Sequence, residues 1–160
     1  MPRLTPMLLH IVPEEDIEHF TLAGMFPAGQ VFALHLPLRT LSHLRIEPDT
    51  PAPPRLLAQV QFTERELDLV RPLYQHYPQF VPYEVMWTCF NRGFAHLNER
   101  TLATARQHLE AARLEEGLWD AEMRPMRNIV TRNRAKLREV GLEVANLLAT
   151  GYLLTKHPKW

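Results

Sequence analysis

Residues 124–154 read RPMRNIVTRNRAKLREVGLEVANLLATGYLL. The first half reads as a helix with two unlike faces. At ~100° per residue, Met123, Met126, Ile129, Val130, Leu137 and Val140 fall on one side. Arg124, Arg127, Asn128, Thr131, Arg134 and Arg138 fall on the other. Asp120 is placed to cap the start of this helix, and Gly141 to close it. Two short runs follow, LEVANL (142–147) and TGYLLTK (150–156), which alternate as the arms of a β-hairpin. An apolar back and an Arg/Asn/Thr front suit the DNA major groove. Arg pairs bidentately with guanine, Asn pairs with adenine, and Thr reaches a base or a phosphate. Arg132 and Lys136 lie off the centre of that front and suit phosphates, which set register without reading sequence. Thr150 and Tyr152 are the hairpin's candidate contacts. Read alone, the helix is equally well a solvated surface helix with solubilising arginines.

The charge distribution favours the first reading. The 160-residue chain has a net charge of zero. Residues 1–62 carry four Lys/Arg and six Asp/Glu, and residues 63–123 carry six against ten. Residues 124–160 carry eight against two, a net of +6. A locally basic surface attracts phosphates even on a neutral protein.

Upstream, residues 7–62 read as β. Candidate strands are 7–12, 19–25, 30–36, 41–47 and 55–62, each followed by Pro, Gly or Asp. DTPAPP (49–54) is a surface loop, because proline lacks the ladder N–H. Glu14, Glu15 and Asp16 form a solvated turn, or Asp16 caps a short helix. TERE at 63–66 is a capping box that opens a helix, which Pro72 should kink or shorten. A second helix starts near Pro82 and stops at Asn91-Arg92-Gly93. Residues 98–116 are amphipathic, with Leu102, Ala105, Leu109, Ala112 and Leu114 as the buried stripe and Gly117 as C-cap. This segment offers a competing recognition helix, with Arg100, Thr101, Thr104, Arg106 and Gln107 facing DNA. It carries more acid than the later helix, and no basic hairpin follows it.

The ordered series of patterns resembles the winged-helix DNA-binding domain of the OmpR/PhoB family over about residues 41–156. FTERELDLVRPLYQHYP resembles that family's LT-x-x-E helix start, with Phe62, Thr63 and Glu66 in place. VPYEVMWTCF resembles V-S-R-E-x-L-L-x-x-V-W. The basic helix resembles R-T-V-D-V-H-I-x-R-L-R-x-K-L, matching Arg124, Val130, Arg132, Arg134 and Leu137. GLEVANLLATGYLL resembles G-x-x-I-x-T-V-R-G-x-G-Y-x-L, matching Gly151, Tyr152 and Leu154. The resemblance implies an α+β fold: a winged helix-turn-helix with an N-terminal antiparallel β-sheet and a C-terminal β-hairpin wing. Residues 1–40 would be a β-rich extension, and 41–160 the winged-helix domain with a helical insert at about 93–120.

Three departures stand out. The family's wing Arg is Leu148, and the Gly after it is Ala149. The core Leu of the recognition helix is Asn133, which must find hydrogen-bond partners or stay wet. The helical insert replaces a shorter loop, a region that in the family can touch RNA polymerase; here it could dock polymerase, form a dimer or fill space.

Other function classes lack their residues. The eight His show no HExxH or HxH spacing, and one Cys builds no structural zinc site. Each His reads as surface or semi-buried. GxGxxG, GK[ST] and GxSxG do not occur. Cys89 reads as a buried thiol, consistent with a reducing cytosol. Trp87 and Trp119 read as core or interface, and Trp160 as a tail residue. No apolar run approaches the ~18 residues of a membrane span, and no signal peptide is expected, since the first apolar run has no small-residue cleavage site. The expectation is therefore a cytoplasmic, sequence-specific double-stranded-DNA-binding transcription regulator. It needs no metal, cofactor or catalytic residue, has no receiver domain, and has RNA polymerase and a homodimer as further candidate partners. The alternative is a protein-binding winged-helix module that docks on RNA polymerase or another regulator.

Overall fold

The computed structural model describes residues 16–160. The expected strand 7–12 and the acids Glu14 and Glu15 lie outside the described residues. Strands β1 (Ile17–Phe20), β2 (Gln30–His35), β3 (Thr40–Arg45) and β4 (Arg55–Gln61) form one antiparallel sheet in chain order. The strand expected over 19–25 starts earlier and is shorter. Leu22 to Met25 make a turn instead, with the Met25 amide on the Leu22 carbonyl and Gly24 at φ 82°. The division expected at residue 40 runs through this sheet, because β2 and β3 pair from Gln30↔Arg45 to His35↔Thr40.

Helix α1 (Glu64–His76) opens on the expected capping box: the Thr63 hydroxyl accepts from the Glu66 amide, and the Glu66 carboxylate accepts from the Thr63 amide. Pro72 does not end the helix. Its ring is buried, and His76 Nδ1 donates to the Pro72 carbonyl at 2.9 Å in the last turn. Strand β5 (Val81–Pro82) leads into α2 (Tyr83–Arg92), and a 3-10 turn (Phe94–His96) follows. Helix α3 (Glu99–Arg113) is capped by Asn98 and Thr101. It ends before Leu114, which is 88% exposed and so leaves the buried stripe to Ala105, Leu109 and Ala112.

Helix α4 (Leu118–Glu139) is the longest element, and it starts earlier than Asp120. Gly117, at φ 80°, is its N-cap rather than the C-cap of the helix before. The left-handed backbone there turns the chain directly from α3 into α4. Asp120 sits in the first turn, where its charge suits the helix dipole. Gly141, at φ 89°, closes the helix as expected. Strands β6 (Leu142–Leu147) and β7 (Gly151–Lys156) then form the hairpin, and β5 adds to β7 to complete a second sheet of order β5-β7-β6.

Among the described residues, the two sheets and four helices share one core, to which Phe32, Leu41, Leu69, Met86, Met126 and Leu137 contribute large buried side chains. Two residues expected at the surface help to seal it. His43 is fully buried, with Nδ1 2.9 Å from the Val140 carbonyl and Nε2 2.8 Å from Gln30 Oε1. Trp160 stacks on that ring at 5.0 Å and lies over Gly141, where a Cβ would meet the indole at 2.7 Å. Cys89 is buried as expected, and burial pushes its thiol up to about 12.

Candidate nucleic-acid interface

The apolar back of α4 is the centre of the core. Met123, Met126, Ile129, Val130, Leu137 and Val140 are all buried. Asn133 lies in the middle of that back, also buried, and its Nδ2 donates to the Glu66 carbonyl at 3.0 Å. Its Oδ1 is buried without a hydrogen-bond partner. Asn133 therefore joins α4 to α1 by one hydrogen bond and leaves one acceptor unsatisfied.

The front of α4 holds Arg124, Arg127, Asn128, Thr131, Arg132 and Arg138, all exposed. Their charges are not equally available. Arg127 pairs with Asp120 at 3.0 Å, and Arg138 with Glu143 at 2.7 Å. The Thr131 hydroxyl donates to the Arg127 carbonyl at 3.0 Å. Among the described residues, Arg124, Asn128 and Arg132 form no side-chain ion pair or hydrogen bond. These three are spaced four apart and so make one ridge along the helix, about 6 Å per step.

Three expected contacts are structural. Half-buried Arg134 donates to the Val144 carbonyl at 3.1 Å and pairs with Glu143 at 3.3 Å, which fixes the hairpin to the helix. Lys136 donates to the Gln61 carbonyl at 2.9 Å and to Glu66 Oε1 at 2.6 Å, so it completes the α1 cap. Tyr152 is 3% exposed and meets the Tyr83 ring edge-on at 5.4 Å. Reading the helix as a wheel put Arg124, Arg127 and Arg138 on the exposed side, where they are, and Arg134 there too, although it is half-buried against the hairpin. It missed Glu143 and Glu66, because a carboxylate across a turn or on another helix leaves no mark on that wheel.

The hairpin tip is Leu148-Ala149-Thr150. Leu148 is 89% exposed, Ala149 has φ 59°, and the Thr150 hydroxyl donates to the Leu148 carbonyl at 3.2 Å. The arms behind the tip are tightly held. The Tyr83 hydroxyl donates to Asn146 Oδ1 at 2.7 Å, and the Tyr83 amide to the Thr150 carbonyl at 3.3 Å. At Gly151 a Cβ would lie 2.0 Å from the Val81 carbonyl oxygen, so only glycine lets β5 and β7 close. Burial raises the Tyr83 phenol, while the Arg127 and Arg113 charges act against that shift.

The competing helix α3 offers less. The Thr101 hydroxyl is used in its cap, the Thr104 hydroxyl bonds the Arg100 carbonyl, and Arg106 faces Glu84 at 3.4 Å. Among the described residues no group of three or more His, Cys, Asp or Glu is placed to hold a metal ion, and no helix is long and apolar enough to cross a membrane. No protein-family model, curated protein or solved structure matches the chain.

Proposed function

We propose that this protein is a transcription regulator of winged-helix type that binds double-stranded DNA, with α4 as the recognition helix and β6–β7 as the wing. The observation that carries this reading is the ridge Arg124, Asn128, Arg132: three exposed side chains with unused hydrogen-bonding groups on one helix whose back is anchored in the core. Their chemistry matches guanine, adenine and phosphate. Arg127 and Arg138 are held only by exposed ion pairs, which contribute little and can exchange a carboxylate for a phosphate. Thr131 and Thr150 lie within the same footprint. The proposal places the protein in the cytoplasm.

The test is duplex binding followed as a function of salt. Release of counterions by three to five phosphate contacts gives a log–log slope of roughly −2.7 to −4.5. Arg124→Ala/Arg132→Ala should weaken binding to random duplex by about tenfold to a hundredfold and flatten that slope. Unchanged affinity in this double variant would sink the assignment of α4 as reader.

A second reading has its own support. Four of the six cations on α4 already face carboxylates, and Leu148 is an exposed apolar tip beside an open apolar groove lined by Phe80, Pro82, Val85, Leu147 and Leu153. Those features suit a module that docks on RNA polymerase or another regulator. A polymerase pull-down that survives Arg124→Ala/Arg132→Ala and fails with Leu148→Asp would favour it.

A further inference from the structure

The four-stranded sheet has one face that the core explains and one that it does not. Strand pairing sets the second face in three rows. One runs Ile17, His35, Thr40, Gln61, and the next runs His19, Ala33, Ser42, Gln59. The third runs Val31, Leu44, Leu56, where the ladder shifts register. None of these residues is Asp, Glu, Lys or Arg, in a chain that is 22% charged. A solvated sheet face ordinarily carries charge, and depletion of charge marks the centre of a protein contact. Among the described residues, no side chain of this face hydrogen-bonds outside the sheet and its turns; the Gln59 amide, for example, donates to the Ser42 hydroxyl at 3.0 Å. Exposed apolar residues border it: Leu38, Ile46 and Leu56 are 59%, 41% and 52% exposed.

We propose that this outer face of β1–β4 is the contact surface of a symmetric homodimer, two sheets packed face to face. Lack of charge is what selects a second copy as the occupant. In a two-fold contact each residue near the axis meets its own kind, so a charge there would repel itself, whereas Ala33 and Ser42 at the centre do not. The size agrees. Four strands at about 4.8 Å and six residues at about 3.4 Å give a face of roughly 20 by 20 Å. With its rim, each copy would bury on the order of 600 Å², and the pair about 1,200 Å², the lower end of specific interfaces. The contact places α4 of each copy away from the interface, so it does not compete with whatever α4 binds.

Sedimentation equilibrium of the full chain, from micromolar to submillimolar concentration, tests this. The wild type should show dimer mass, and Ala33→Glu should weaken the dimer by about a hundredfold through self-repulsion. Ala33→Lys should do the same, and an equal mixture of the two variants should recover dimer mass. Ser42→Glu and Ser42→Lys, beside Ala33 at the centre of the face, repeat the experiment should the Ala33 variants fail to fold. A wild type that stays monomeric overturns the proposal. So does a dimer that Ala33→Glu and Ser42→Glu leave unchanged, because the contact then lies elsewhere.

Discussion

Glu66 shows how much one side chain can organise. It is 3% exposed, yet three elements meet at it: its own helix cap, the end of β4 and α4. Burial pushes its carboxyl up. The Lys136 ammonium and the Thr63 donors pull it down by more, so it ends below its ordinary value of 4.5. A carboxylate depressed in the folded state stabilises the fold above its unfolded value, and that contribution is lost as pH falls through the folded value. Lys136→Met should therefore cost about 1–3 kcal/mol at neutral pH, because the buried carboxylate loses its cation. Urea denaturation should show the gap between wild type and variant narrowing as pH falls below 4.5 and through the lowered folded value. The capping box was legible at this scale, since Thr63 and Glu66 are three apart in sequence. The role of Lys136 was not. Its partners lie 70 and 75 positions away, and a lysine on a basic helix looks the same in sequence whether it faces phosphate or a buried acid.

At the scale of elements, the second sheet depends on a close backbone approach. Gly151→Ala would place a methyl 2.0 Å from the Val81 carbonyl oxygen, and both are backbone-fixed. The variant should lose about 3 kcal/mol or more and should open β5 from β7; hydrogen exchange at the paired Val81 and Tyr152 amides would report it. Gly117 makes a milder case. Nothing lies within 4 Å of a Cβ there, so Gly117→Ala should cost only about 1 kcal/mol, from its φ of 80°. Helices and hairpin arms were readable from periodicity, because packing imposes it on the sequence. The boundary between α3 and α4 was misread because glycine serves equally at the end of one helix and the start of the next. What decided it was Leu114, which has the apolar character of the stripe and is nevertheless exposed.

At the scale of the whole molecule, His43 joins the four-stranded sheet to the C-terminal end of α4. Burial lowers its pKa from 6.5, opposed by its hydrogen bond to the Val140 carbonyl. A histidine depressed in the folded state favours folding above its unfolded value, and that advantage is lost as pH falls below 6.5. The midpoint of urea unfolding should thus drop between pH 7.5 and 5.5, and His43→Phe should show a smaller drop. An equal drop in the variant would place the titration elsewhere. The α+β architecture was legible because four strands precede the first long helix and a hairpin follows the last one. The union of sheet and helix through a buried histidine, and its cover by Trp160, was not, since in an isolated sequence a histidine reads as surface or semi-buried and the last Trp as a tail residue.

The closure of β5 on β7 at Gly151 has a kinetic side. A hairpin pinned by the Tyr83 hydroxyl and by a carbonyl where a side chain would stand has no room to swing about its base. Under the function proposed above, its tip would meet a partner already in its bound geometry. Capture at Leu148–Thr150 should proceed in one exponential phase whose rate rises linearly with partner concentration and reaches no plateau from a slow loop rearrangement.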